Sequence, residues 1–493
     1  MGIPKILGVL WLASSASAQV LDHAKVFQDS VVIVQSSQMD WDFQAPWRRE
    51  AAQRSVYMGT VVNNQEILVA AAAVVDASLL EVRRVDGIKS RPAQVVFADY
   101  EANLALLKVD DPSDLQPLRP AALGEDMGIQ SKAFILKNQG MERLGSHPVV
   151  LLNVPVLNVH TGRYSLPHYQ LESQKVGLGW SEPVVKGGKL VGMAVGQGEN
   201  MVYALPAEVI KHFLDDVKSP PYKGFPTLGI TSAPLMSEHQ RNLLKVPAKV
   251  EGVRISKVAE ASPFLGDLRQ DDILTHVDNI SISSRGFFSH PVWGPVHFSQ
   301  LISHKFSGDG VKLTVVRQGN ELKFEKKISR FQSDNFLLPT YPAGGKIPHV
   351  VIAGLVFQEL SIPYLKEWGR NWDNDAPLPF LQIYHNEDGP QVPPGKRIVI
   401  LTKVMPDRVN SGYESLANLR ISHVNHQTIT SLDDLKGALG RPVLVNGKSF
   451  TVFDFDRDEA QVVLENSLLK GANERIANQY SIGKESFAAH LVH

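Results

Sequence analysis

Short apolar runs recur at close spacing from Val20 to about Val217: "SVVIVQSS", "VYMGTVV", "EILVAAAAVV", "LLEVRRV", "AQVVFAD", "LALLKVD", "AFILKN", "KLVGMAVG" and "MVYALP". They are rich in β-branched residues and separated by polar turns, which predicts a sandwich or barrel of short strands rather than alternating strand–helix units. One helical stretch, "PAEVIKHFLDDV" (Pro206–Val217), closes the region, and "KSPPYKGFP" reads as a linker.

A different grammar follows. "TLGI" (Thr227–Ile230), "GVRISKVAEASPF", "LRQDDILTHVDNISI", "FSQLISHKFSGDG" and "VKLTVVRQGNELKFEKKI" give strand, strand, helix and a hairpin turning at "RQGNE". The order is that of a PDZ domain, a unit with one cleft between a strand and a helix. It returns in "VIAGLVFQELSIPYL" and "GKRIVILTKVMPDRVNSGYESLANLRISHVNHQTITSLDDLKGAL", where Ser431 with Asp434 predicts a capped helix start. The expected units are 19–219, 220–332 and 349–469, with a partly ordered linker at 333–348. A polar, helix-compatible tail at 470–493 has no assignable role.

Composition narrows the function classes. Fifty basic and fifty-one acidic residues leave no electrostatic footprint for nucleic acid and no polybasic membrane patch. The chain has no cysteine, which excludes disulfides, thiolate catalysis and cysteine-ligated metal. The stretch 1–18, "MGIPKILGVLWLASSASA", joins Lys5, a short apolar run and Ala16-Ser17-Ala18. It reads as a cleavable export signal, too short to span a bilayer, and the expected location is periplasmic or secreted. No later run is apolar enough to cross a membrane.

Three stretches carry the candidate chemistry: "AAAAVV" (Ala70–Val75), "NLALLKV" (Asn103–Val109) and "LGWSEPVV" (Leu178–Val185). With "APWRREAAQRS", "FSQLISHKFSGD" and "AGLVFQELSIPYLKEWG", they resemble the HtrA/Deg serine proteases, closest to the long plant-type members, over almost the whole chain after the leader. The resemblance implies a mostly β fold, a chymotrypsin-like (trypsin-like) double β-barrel followed by two PDZ-like α+β domains. It also implies a quality-control protease lineage and a homo-oligomer or an assembly with an active relative.

On that resemblance the family's histidine in "T-N-A-H-V-V" falls on Ala73, its aspartate in "D-L-A-[VL]-L-K" on Asn103, and its serine in "G-N-S-G-G-P" on Trp180. Ser181 and Glu182 then stand where the family keeps two glycines. A triad needs a hydroxyl nucleophile, an imidazole to take its proton and a carboxylate to orient the imidazole. Ala73 accepts no proton and Trp180 offers no oxygen. Even the acid-to-amide change alone is worth about 10⁴-fold in the reference triad. Glu182 also brings a side chain to the place where an oxyanion hole needs bare backbone N–H groups. Ser181 is one residue out of register. His160 and His168 in "VHTGRYSLPHY" read as loop or structural residues.

The expectation is a pseudoprotease, with no catalytic residues, metal or cofactor, that binds polypeptides or scaffolds an assembly. The alternative is an active serine endopeptidase with a displaced site. The expected peptide groove uses Thr227, Leu228, Gly229 and Ile230 as a carboxylate nest, faced by Phe298, Leu301 and Ile302. A second outcome is that this groove is filled internally, by a neighbouring PDZ unit or by "SSRGFFSHPVWGPVHF". Gly354-Leu355-Val356-Phe357 stands at the equivalent place in the last unit and is expected to be structural. "EWGRNWDNDAP" (Glu367–Pro377) is expected to be a solvated loop with two packed indoles rather than a metal site.

Overall fold

The computed structural model describes residues 22–488 except 64, 141–142, 159–163, 332–335, 341–344, 388, 390–394 and 457–459. The leader and His160 therefore lie outside the described residues. A short helix α1 (His23–Val26) leads into β1 (Val31–Gln38), β2 (Gln53–Val61), β3 (Glu66–Val69), β4 (Ala77–Arg84), β5 (Ser90–Asp99) and β6 (Leu104–Val109), which close a barrel in the order β1-β2-β3-β6-β5-β4. The continuous apolar run of β6 follows from burial on both faces. Ala105, Leu107 and Val109 fill the barrel, and Leu104 and Leu106 point into a second core shared with Ile210 and Phe213.

β7 (Lys132–Asn138), β8 (Leu144–Asn153), the hairpin β9 (Val156–Asn158) and β10 (Ser165–Pro167), β11 (Tyr169–Glu172), β12 (Pro183–Lys186), β13 (Lys189–Gly198) and β14 (Met201–Pro206) follow. The second barrel closes as β11-β14-β13-β12-β7-β8. β8 is absent from the sequence expectation; its Pro148 sits inside the strand, opposite Phe134. Helix α2 (Ala207–Val217) buries Val209, Ile210 and Phe213 in the core between the barrels. Past its end, Asp216 Oδ2 accepts the N–H groups of Lys223 and Gly224 at 2.8 and 2.6 Å, which anchors the linker.

The first PDZ unit contains β15 (Ile230–Pro234), α3 (Glu238–Leu243), β16 (Val253–Val258), β17 (Ile273–Val277), β18 (Ile280–Ser281), β19 (Phe287–His290), β20 (Gly294–His297), α4 (Gln300–Ser303), β21 (Gly310–Arg317) and β22 (Asn320–Lys327). Its sheet runs β15-β16-β17-β21-β22, so β15 is an edge strand. The expected helix is reduced to the single turn α4. The β19–β20 hairpin carries the aromatic insertion, and it packs Phe288, Trp293 and Val296 into the core of the second barrel. Trp293 Nε1 donates to the Met127 carbonyl at 3.0 Å.

The last unit comprises β23 (His349–Ile352), β24 (Leu355–Glu359), α5 (Ile362–Lys366), α6 (Trp372–Asp375), α7 (Leu378–Gln382), β25 (Val399–Val404), β26 (Leu419–Val424), β27 (Gln427–Thr428), α8 (Leu432–Leu439), β28 (Val443–Val445), β29 (Lys448–Phe455), β30 (Gln461–Glu465) and α9 (Asn466–Tyr480). Ser431 Oγ accepts the Asp434 N–H at 3.1 Å, and Asp434 Oδ2 accepts the Thr430 N–H at 3.0 Å, a capped start for α8. Two expectations change here. The described part of 333–348, expected to be a partly ordered linker, contributes buried Leu337, Leu338 and Ile347 to the core. α9 crosses the expected boundary at 469 and buries Leu469, Ala472 and Ile476, so the tail is part of the unit through Phe487, which bridges Val351. In "EWGRNWDNDAP" the two indoles, Trp368 and Trp372, pack against the core of Leu360, Tyr364 and Phe380 as expected, and the segment includes a helical turn.

The β1–β2 connection reaches this last unit. Phe43 joins the core of Leu360, Tyr364 and Phe380, and Trp47 packs beside Val351 and Met405. Gln358 Nε2 donates to the Phe43 carbonyl at 2.8 Å, and Arg48 Nη2 donates to the Tyr480 carbonyl at 3.1 Å.

Candidate functional site

β3 ends at Val69 and the alanines form a 3₁₀ turn, Ala71–Ala73, rather than the end of a strand. The turn is held from outside. Gln38 Nε2 donates to the carbonyls of Ala72 and Val75, both at 2.9 Å, and the Ala72 N–H donates to Asn103 Oδ1 at 3.0 Å. Asn103 is 2% exposed with φ +54°, a left-handed conformation that asparagine tolerates better than most residues. Tyr57 links the turn to the third stretch: its hydroxyl donates to the Ala72 carbonyl at 3.4 Å, and its ring meets that of Trp180 at 5.3 Å, edge to face. Tyr57 thus bridges the alanine turn that Asn103 holds and the loop that carries Trp180, whose indole is half-exposed.

Backbone N–H groups in 178–180 face acceptors of the chain itself. The Leu178 N–H donates to Gln197 Oε1 at 2.8 Å. The Gly179 and Trp180 N–H groups donate to Glu182 Oε2 at 2.9 and 2.6 Å. Glu182 is 1% exposed, and burial raises its carboxyl pKa above the ordinary range against the pull of these donors and of Lys137, whose Nζ is 3.5 Å from Oε1. Gly179 lies so close to Gly196 that a Cβ would fall 2.6 Å from its Cα, so the loop is pressed onto β13. Ser181 adopts φ +68°, the backbone glycine favours. Its buried Oγ accepts the Ala70 N–H at 3.0 Å. His168 is buried with Nδ1 2.8 Å from the Leu166 carbonyl, a bond that favours the protonated ring, yet burial outweighs it and lowers its pKa.

The PDZ groove is composite. A cavity of 370 Å³ is lined by Thr227, Leu228, Ile230, Phe298 and Ile302, but also by Val156, Tyr164 and Leu166 in and beside the β9–β10 hairpin. Gly229 and Leu301 do not line it. The Gly229 carbonyl accepts the Ala259 N–H at 2.8 Å, with φ +65° beside Phe331 and Ser262. Leu301 packs toward the second-barrel core. Most of the aromatic insertion packs into the second barrel, and only its end, His297 and Phe298, lines the groove, beside the β9–β10 hairpin. This composite wall was not legible in the sequence, because contacts between distant short strands leave no local pattern.

In the last unit the equivalent strand has no free edge, because β24 pairs with β23 on one side and β25 on the other. The loop corresponding to the nest is the β23–β24 turn, with Ala353 at φ +46° and Gly354 at φ +92°. Asn473 Oδ1 accepts the Ala353 N–H at 2.7 Å, and Asn410 Nδ2 donates to the carbonyls of Ala353 and Met405 at 2.7 and 2.8 Å. The Ala353 N–H of this turn is thus already bonded within the chain. No group of three or more His, Asp or Glu among the described residues is placed to hold a metal ion, and no described helix is long and apolar enough to cross a membrane.

Residues 339–487 match the PDZ domain family model. Over 489 residues the sequence is 25% identical to the chloroplastic protease Do-like 2 of Arabidopsis thaliana, covering 97% of this chain and 78% of that protein. The chain is a homologue of the Do-like (Deg) proteases. The mitochondrial protease Do-like 4 of Arabidopsis thaliana is 26% identical over 399 residues, 79% of this Do-like homologue and 72% of the relative. A solved structure titled HtrA-type protease AlgW with decapeptide is 15% identical, with a TM-score of 0.48 over 63% of this chain and 98% of that one. Two closed six-stranded barrels and PDZ architecture accompany this similarity to the Do-like proteases.

Proposed function

We propose that this Do-like homologue is a non-catalytic, polypeptide-binding member of its family. In this reading the barrels serve as a platform, the first PDZ unit captures peptide segments, and the protein assembles with itself or an active relative. One observation carries the proposal: the N–H groups of Leu178 and Trp180 are satisfied by Gln197 and Glu182. With Trp180 read as the nucleophile position, these are the donors that would stabilise an oxyanion, and the chain's own oxygens compete for them. Ala73 and Asn103 support the same reading, since neither relays a proton. The open edge of β15 supports peptide addition at the first PDZ unit, and the paired edges of β24 support a structural role for the last.

The test is direct. Full-length protein without its first 18 residues should neither cleave unfolded casein nor label with a fluorophosphonate. Turnover that Ser181→Ala abolishes would overturn the reading. Capture of partners, repeated with Leu228→Asp, separates groove binding from a scaffold role. The leader supports export as part of the same proposal; fusing residues 1–30 to a fluorescent protein reports the destination.

A further inference from the structure

A second cavity lies away from the degenerate site, where α2 of the second barrel meets α4 of the first PDZ unit. It has a volume of 410 Å³, and Glu125, Asp126, Glu208 and Asp215 all line it. Two of these carboxylates are committed. Asp126 Oδ1 accepts the Tyr169 hydroxyl at 2.8 Å, and Glu208 accepts Gln300 Nε2 at 3.1 Å and lies 3.5 Å from His304 Nδ1. Glu125 and Asp215 are exposed at the rim, and against the four acids stand Lys211 and His304.

His212 supplies an independent observation. It lines the same cavity, is 7% exposed, and its Nε2 has no hydrogen-bond partner. The rings of Phe225 and Phe306 lie 4.2 and 4.0 Å from the His212 ring, centroid to centroid. A hydrogen bond to the backbone of Gly224 engages the ring's other nitrogen, and burial lowers its pKa to about 4. The ring is therefore neutral at physiological pH, with an acceptor at Nε2. A neutral imidazole acceptor within an acidic wall calls for a ligand rich in donors and positively charged. The acids are too dispersed to chelate a metal ion, as no three His, Asp or Glu residues among those described are placed to do so. A planar cation with several N–H donors spans such a set; a compact ammonium does not.

We propose that this cavity binds a guanidinium group, either an arginine side chain of a polypeptide or free arginine. Asp215 and Glu125 would take its charge and His212 Nε2 one of its donors. The site is separate from the PDZ groove and does not depend on the barrel's catalytic status.

The test is calorimetric titration of the full chain at low salt with Nα-acetyl-arginine amide, free L-arginine and Nα-acetyl-citrulline amide, the uncharged isostere of the first. The arginine probes should bind, and the citrulline probe should bind at least about tenfold more weakly. Tighter binding of the acetylated amide assigns a polypeptide side chain; the reverse order assigns the free amino acid. The rim double variant Glu125→Gln/Asp215→Asn changes only exposed side chains and should lose about tenfold in affinity; His212→Phe should do the same. Equal affinity for arginine and citrulline amides, no binding of either arginine probe, or an unchanged double variant overturns the proposal.

Discussion

The Trp180 N–H donates to the Glu182 carboxylate at 2.6 Å, two residues along the same loop. Because burial raises the Glu182 pKa above its unfolded value, the folded state holds this proton more tightly. The stability linked to that proton is present below the unfolded-state pKa and is lost as pH rises through the folded one. Urea midpoints should therefore fall over that window, upward from about 4.3. The Glu182→Gln variant, which keeps an acceptor oxygen and does not titrate, should show a flatter profile. Identical pH slopes for the two proteins would refute the assignment.

On the proposed reading, placing His, Asp and Ser at positions 73, 103 and 180 should not by itself create chemistry. The triple variant Ala73→His/Asn103→Asp/Trp180→Ser still leaves the backbone N–H at position 180 bonded to Glu182, so fluorophosphonate labelling should stay at background. Adding Ser181→Gly and Glu182→Gly frees that donor, and labelling should rise measurably above the triple variant. Labelling of the triple variant at the level of the five-site variant would show that Glu182 does not obstruct the site.

Asn103 is structural in its present form. Asn103→Ala removes the acceptor for the part-buried Ala72 N–H, which should cost about 1 kcal/mol in denaturant unfolding. Asn103→Asp keeps the acceptor and should cost less. A loss in Asn103→Ala no larger than in Asn103→Asp would remove the hydrogen bond from this account.

Trp293 couples the first PDZ unit to the second barrel. It is 2% exposed, edge-on to Tyr169 at 6.2 Å, and bonded to Met127. Trp293→Ala should cost about 3–5 kcal/mol and open the 286–298 hairpin to limited proteolysis. Unchanged protection of the hairpin would argue against this joint.

Gly354 makes the turn that closes β23 onto β24. At φ +92°, a Cβ would lie 2.2 Å from the Met405 carbonyl oxygen and 2.4 Å from Asn410 Nδ2. Gly354→Ala should therefore cost at least about 1–3 kcal/mol. Hydrogen exchange should report it as lost protection in Val350–Ile352.

Strand and helix positions were legible where pattern and chemistry agreed: the apolar run of β6, the Ser431 cap, the PDZ order. The stretches around Ala73, Asn103 and Trp180 stood out in the sequence because each carries a strong local pattern; their reading as a lost triad belongs to the proposed function. What fills the gaps was not legible. That Gln197 reaches Leu178, or that Asn410 and Asn473 pack the β23–β24 turn, depends on side chains from distant segments. β8 was hidden by its internal proline, and α9 by a polar composition that masks a narrow buried stripe of Leu469, Ala472 and Ile476.

The arm between β1 and β2 has a mechanical consequence. Phe43 and Trp47, from the first barrel, are covered by the last unit, so the two ends of the described chain are fastened to each other rather than strung like beads. A fragment ending before residue 339 would leave those rings facing water and prone to self-association. The terminal PDZ unit is thus a clasp on a closed circuit of domains, and cutting it off disturbs the barrel that begins the chain.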